Sequence, residues 1–334
     1  GLVLTAVHCA SDVIHAVEEA FRRAKLTTQT GQEVQGHWGV ADVQNFLEQA
    51  RIQRSLLLRQ IPENLLMLWQ PILPLDPNAE GIHAEALLRV LQGTGEPGPA
   101  QALVSACQQS GISEFLDEWV LGRVLSFLQE HAHDLQFLQK VHVNMSPQSL
   151  NNPTFRESVL VALKAGGLAA SKLCIEITEL GLLLDAQGVK AWTTELQRLG
   201  VSLAIDDFGA GYCNFNTAKD LVCEVIKVDG SLIAGLSHNR QSQAVVRAIV
   251  NLAHDLDCTC VAEWVEDVPT LMLVKALGVD FIQGFLLAPA LLPERFFGRF
   301  NALQFAATPA IAETLANALQ MPTAPELSMQ SNLN

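Results

Sequence analysis

From about residue 64 the chain keeps one rhythm. Short β-rich segments alternate with longer stretches in which apolar residues recur every three or four positions. The candidate strands are LMLWQPIL (66–73), IHAEALLRV (82–90), KVHVNMS (140–146), KLCIEIT (172–178), VSLAIDD (201–207), EVIKVD (224–229), CTCVAEW (258–264) and VDFIQGF (279–285). Between them lie amphipathic stretches such as EFLDEWVLGRVLSFLQEH and SQAVVRAIVNLAHDL. Eight strands with intervening helices predict a (β/α)8 barrel, with an open doubly wound sheet as the competing architecture. The link between the first two strands is too short for a helical crossover. It suits a hairpin, so the barrel is expected to start with an antiparallel pair.

At 334 residues and 49% hydrophobic content the chain can bury a large core. No window approaches 18 continuous apolar residues, and the opening GLVLTAVHCASDVIH lacks the basic start of a secretory signal. A soluble, cytoplasmic protein is expected, with no membrane segment in this stretch and a longer, membrane-anchored parent protein left open. A formal charge of −14 argues against a grip on a nucleic-acid polymer, which needs a basic face that releases counterions. Small phosphates remain possible if metal ions supply the positive charge. Seven cysteines without a CxxC pair fit reduced thiols, and Cys258 and Cys260 read as core residues.

In a barrel, catalytic groups project from the carboxyl ends of the strands. The candidate strands carry there, in order, Gln70; Glu85 and Arg89; Asn144; Glu176 followed by Glu179; Asp206 and Asp207; Lys227 and Asp229; Glu263 and Glu266; and Gln283. Singly, a carboxylate closing a strand is often a helix cap. As a set they place acids and a lysine in apolar strands, where burial costs several kcal/mol unless they are paired or metal-bound. Carboxylates with an amide oxygen and no His or Cys form a hard-oxygen set suited to Mg2+, Mn2+ or Ca2+. The adjacent Asp206 and Asp207 could share one ion and reach a second, the two-metal arrangement of phosphoester hydrolysis.

These segments resemble a known family. Glu85-Ala86-Leu87 with Arg89 in AEALLRV, then VNMS, EITE, DDFGAGY, IKVDGSLI, AEWVE and IQGF, follow the order of the EAL family of cyclic di-GMP phosphodiesterases over roughly residues 64 to 295. The resemblance implies a modified barrel with an antiparallel first strand pair, two Mg2+ or Mn2+ ions per site, inhibition by Ca2+, and hydrolysis of cyclic di-GMP to linear pGpG by in-line attack of water. It implies Glu85, Asn144, Glu176 and Asp206 as ligands of one metal and Asp206, Asp207 and Glu263 as ligands of the second. It makes Lys227 the residue that holds the attacking water and Gln283 part of that water site. Gln70 would hold guanine, Arg89 a phosphate, and Glu179 would anchor the DFGAGY loop, which in the family couples metal binding to dimerisation. Asp229 and Glu266 receive no definite role. A homodimer is implied as well.

Residues 1–40 resemble the closing helix of a GGDEF domain, 41–63 form a linker helix, 64–300 the barrel, and 301–334 a terminal helix and polar tail. Upstream GGDEF or sensory domains are then expected in a longer protein. The pattern departs from the family at Trp264, where glycine is usual, at Cys213 and Asn214 in the loop, and in LVCEVIK, which lacks the usual Pro and Asp. EAL-like domains that bind cyclic di-GMP without cleaving it are the alternative, but those typically lose the Glu or the Asp pair kept here. The dipeptides His133-Asp134 and His254-Asp255 do not make a His-Asp hydrolase site, since the further ligands are missing, and they read as surface.

Overall fold

A computed structural model describes residues 65–319 except 77, 80, 93–94, 110, 132–134, 136, 179–185, 211–222, 298, 300–301 and 307. The expected N-terminal helices, Glu179, most of the DFGAGY loop, His133-Asp134 and the polar tail lie outside the described residues.

All eight expected strands form. They are β1 (Leu65–Pro74), β2 (Ile82–Leu91), β4 (Leu138–Met145), β5 (Leu173–Thr178), β6 (Ser202–Phe208), β7 (Val225–Val228), β8 (Thr259–Ala262) and β9 (Phe281–Ile282), with a short extra strand, β3 (Pro97–Pro99), paired to the end of β2. The sheet runs β1-β9-β8-β7-β6-β5-β4-β2 and closes through β1–β2, giving an eight-stranded barrel with β3 outside it. β1 is antiparallel to both neighbours, and the other barrel strands run parallel. The tight turn before β2 uses Gly81 at φ +83°, a left-handed conformation open to glycine without strain. The α/β class and the modified barrel with its reversed first strand are therefore as the sequence predicts.

Helices cover the outside. They include α1 (Gln101–Gln109), α2 (Ser113–Glu130), α3 (Pro147–Leu150), α4 (Pro153–Gly166), α5 (Ala186–Arg198), α6 (Gly230–Ile233), α7 (Arg240–Asp255), α8 (Val268–Ala276) and, near the C-terminus, α9 (Pro293–Phe296), α10 (Ala302–Phe305) and α11 (Pro309–Leu319). In α7, Val246, Ile249, Val250 and Ala253 fall on one buried face, and Asn239 caps the first turn by accepting from Gln241 and Ser242 N–H. His254, near its end, bonds Asp280 at 3.0 Å on the surface, as expected for that dipeptide.

Period-two alternation then divides every strand. Val141, Val143, Ile175, Ile177, Leu203, Ile205, Ile226, Val228, Cys260 and Ala262 face the helices in one continuous core. Ile72, Cys174, Ala204, Val225 and Val261, with Phe281 packed against them, plug the barrel interior.

Candidate active site

Two positions along each strand from an interior residue lies the next side chain on the same face. From His83, His142, Cys174, Ala204, Val225, Val261 and Phe281 that step reaches Glu85, Asn144, Glu176, Asp206, Lys227, Glu263 and Gln283. On β1 the step runs backwards, from Ile72 to Gln70, because the strand is reversed. Gln70 is thus mid-strand, in register with Glu85, rather than at a carboxyl end as the other strands would suggest. One polar layer, with a residue from each barrel strand or, for Glu263 and Gln283, from the position just past it, sits on an apolar plug.

Lys227 is fully buried at the centre of this layer. Its Nζ lies 2.7 Å from Glu263, 2.9 Å from Glu176, 3.3 Å from Asp206 and 3.4 Å from Glu85. Burial opposes the charge, but Asp206, Glu176, Glu263 and Glu85 together outweigh it and hold the ammonium protonated well above the usual lysine range. Burial drives Glu176 well above the carboxylate range, against the pull of Lys227. Glu263 is pushed up to about 7 by burial, opposed by Lys227 and reinforced by Asp206 and Glu85.

The amides complete the layer. Asn144 Nδ2 donates to Glu85 Oε1 at 2.6 Å, and Gln283 Nε2 donates to Glu85 Oε2 at 2.6 Å and to Gln70 Oε1 at 3.2 Å. Gln70 Nε2 in turn donates to the Ala288 carbonyl at 3.3 Å.

The paired aspartates are the site's local exception. Neighbours on a strand normally face opposite sides, which would send Asp207 into the helix layer. The β6–β7 register slips between Ile205 and Phe208, and Asp207 takes a left-handed φ of 55°. The bulge keeps the second carboxylate at the mouth, and oxygens of Asp206, Asp207 and Glu263 lie within 4.8 Å of one another. Burial, with repulsion from Asp206 and Asp229, raises Asp207 to about 6.

These residues suit hard dications. Four carboxyl groups converge on a single ammonium, Asp206 Oδ1 lies 3.3 Å from Lys227 Nζ without forming a hydrogen bond, and Gln283 Oε1 is buried without a hydrogen-bond partner.

Other expected residues stand apart. Arg89 is four residues beyond Glu85, half-buried, and donates to the Leu88 carbonyl at 2.9 Å; burial lowers its pKa against the pull of Glu85. Asp229 caps α6, accepting from the Ser231 N–H at 3.0 Å and from its hydroxyl. Glu266 is exposed on the loop before α8.

Two histidines are not evident from the sequence. His142, fully buried, bonds Glu176 Oε1 through Nδ1 at 2.7 Å and His83 Nδ1 through Nε2 at 3.2 Å, while His83 stacks on Phe281 with centroids 4.6 Å apart. Burial lowers His83 to about 4 and His142 well below the usual range, so both are neutral, and His142 donates Nδ1–H to the carboxylate. Their signal is the two-residue spacing to Glu85 and Asn144, which puts all four on the same strand faces.

The EAL domain family profile matches residues 50–290. The chain belongs to the EAL domain family. Among curated relatives, the cyclic di-GMP phosphodiesterase PdeF of Escherichia coli (strain K12) is 30% identical over 206 residues, 62% of this chain and 27% of that protein. The cyclic di-GMP phosphodiesterase NbdA of Pseudomonas aeruginosa is 32% identical over 226 residues, 67% of this chain and 28% of its own. This EAL chain thus spans less than a third of either relative's length. A solved structure of PaMucR phosphodiesterase in complex with c-di-GMP superposes with a TM-score of 0.65 at 28% identity, covering 76% of this chain and 99% of that one.

Proposed function

We propose that this EAL domain hydrolyses one phosphodiester bond of cyclic di-GMP, giving linear pGpG by in-line attack of water with the help of two divalent cations. The observation that carries this reading is the convergence of Glu85, Glu176, Asp206 and Glu263 within 3.4 Å of Lys227 Nζ, at a mouth where Asp207 adds a further carboxylate. Relatives named cyclic di-GMP phosphodiesterases support the substrate.

Glu85, Asn144, Glu176 and Asp206 would hold one Mg2+ or Mn2+ ion, and Asp206, Asp207 and Glu263 the other. Asn144 fits this role because its amide nitrogen is engaged by Glu85, which leaves its oxygen as the donor toward a cation. Bound cations supply Lewis acidity toward the phosphoryl group and lower the pKa of the attacking water. Ca2+, with its larger and looser shell, would hold substrate without supporting turnover.

The chain's own groups do the remainder. The Lys227 ammonium stabilises charge on the phosphoryl oxygens and donates to the attacking water. Gln283 Oε1, buried and unpartnered, accepts that water's O–H and so fixes its direction. Gln70 lies against Gln283 and offers its amide to guanine, while Arg89 keeps N–H donors for a phosphate. Glu179 would anchor the loop that follows β6.

The wider setting belongs to the same proposal: a cytoplasmic domain, forming a homodimer, downstream of a degenerate GGDEF end in a longer signalling protein. No helix among the described residues is long and apolar enough to cross a membrane. The test is incubation of the purified chain with cyclic di-GMP and Mn2+, Mg2+ or Ca2+, followed by chromatography of the nucleotides. The expected result is pGpG with Mn2+ or Mg2+ and none with Ca2+. Stoichiometric binding without pGpG under any metal would make the domain a cyclic di-GMP receptor instead.

A further inference from the structure

The loop after β8 carries a side chain that the fold does not need. Trp264 is 58% exposed and holds a backbone φ of 52°, a left-handed conformation that strains any residue with a bulky side chain. An exposed indole gives the core little in return. The ring is nevertheless held in place: it lies so close to Gly230, the first residue of α6, that a β-carbon there would stand 2.2 Å from it. One side of the indole therefore rests on the rim between β7 and α6 while much of its surface stays open.

The loop itself is fixed. Val265 N–H donates to the Gln283 carbonyl at 3.0 Å, and Leu286 N–H donates to the Val265 carbonyl at 3.1 Å. Gly284 permits this approach, since a β-carbon there would meet the Val265 oxygen at 2.2 Å. The β8 and β9 loops are thus stitched together beneath Trp264, and the ring is preorganised before any ligand arrives.

Trp264 also directly follows Glu263, whose carboxylate reaches Lys227 at 2.7 Å. An open aromatic face and the phosphate-handling cluster are one residue apart. A cyclic dinucleotide presents the same two chemistries, an anionic phosphodiester with a purine one ribose away. Resting on the reading that this mouth takes cyclic di-GMP, we propose that Trp264 is a stacking platform for one guanine base, an affinity-determining contact kept at the expense of backbone strain. Every base has a π-face, so the platform grips through stacking, and the polar groups of the mouth read the rest of the ligand.

Strain and stacking predict opposite signs in one variant. Trp264→Gly frees the left-handed backbone and removes the ring; Trp264→Phe keeps an aromatic face. With Ca2+ present to hold ligand without turnover, the affinity of the full chain for cyclic di-GMP is measured by calorimetry, Tm by thermal melting, and indole emission on ligand addition. The expected result is a Trp264→Gly protein with a higher Tm but roughly 5- to 150-fold weaker binding, the range set by 1–3 kcal/mol of stacking per base. Trp264→Phe should bind close to wild type, and the ligand-induced quench of indole emission should be absent from it. With Mn2+, the Trp264→Gly defect should fall on KM more than on kcat. Wild-type affinity in Trp264→Gly would overturn the stacking role while leaving the phosphodiesterase reading intact. Failure of the wild-type chain to bind cyclic di-GMP at all would remove both.

Discussion

Lys227 and Asp206 stand 3.3 Å apart in one cluster, yet their removal should act on stability in opposite directions. Lys227→Ala leaves four carboxylates facing one another without a cation, and breaking a buried ion pair in this way costs roughly 3–5 kcal/mol. Asp206→Asn removes one of those charges and should leave the metal-free protein as stable or more so. Both should lower turnover, Lys227→Ala by about 10²–10³-fold, the range for loss of one preorganised donor to a developing oxyanion. Urea melts in EDTA alongside the pGpG assay separate the two effects; equal destabilisation by both substitutions would mean that the acids do not depend on the ammonium. At this scale the sequence was largely legible, because an acid or lysine inside an apolar strand is conspicuous. His83 and His142 were not, since histidine two residues from a candidate ligand reads as an ordinary strand residue until the partner strand is in place. Asn144 and Arg89 were visible as polar groups, but which hydrogen bonds they make depends on neighbours from distant segments.

Elements were legible where period and punctuation agreed. All eight barrel strands announce themselves by alternation, and α2 and α7 by helical spacing. β3 did not, because three residues with two prolines show no alternation and depend on β2 for pairing. The bulge at Asp207 was equally hidden: the sequence displays two adjacent acids, but only the slipped register explains how both reach one mouth. Caps act at this scale too. Asn239→Ala removes the one oxygen that accepts from two N–H groups in the first turn of α7 and should cost about 1 kcal/mol of stability. The site lies across the barrel wall from that helix face, so metal-dependent turnover should be unchanged, which denaturant titration and the nucleotide assay can check together.

For the whole molecule, the mouth's acidity couples stability to pH. Glu263 rises from 4.5 to about 7 and Asp207 from 3.8 to about 6 on folding. Between the lower and upper values these two acids hold more protons in the folded chain than in the unfolded one, so their contribution is full below the unfolded pKa values and is lost as pH rises through 6 to 7, while the depressed His83 and His142 act the other way only below about 6.5. Dications select the ionised carboxylates, so Mn2+ should counter that loss. Thermal melts in EDTA are expected to fall from pH 6.5 to 7.5 while those in Mn2+ fall less or rise; parallel curves would exclude coupling of these acids to a metal.

The reversed first strand has a consequence of its own. β1 meets β9 through Leu73–Ile282 and Pro74–Phe281 with a nearby bridge from Trp69 to Leu291, whereas β4 and β5 pair continuously from Val141–Leu173 to Met145–Ile177. The seam between the barrel's first and last strands is therefore one of its thinnest, with two register pairs like the seam between β8 and β9, and amide protons there should exchange with deuterium sooner than those of β4–β6. Gln70 and Gln283 face each other across that seam at 3.2 Å. A nucleotide gripped by both would act as a clasp, slowing exchange along a line that the backbone alone leaves loosely sewn.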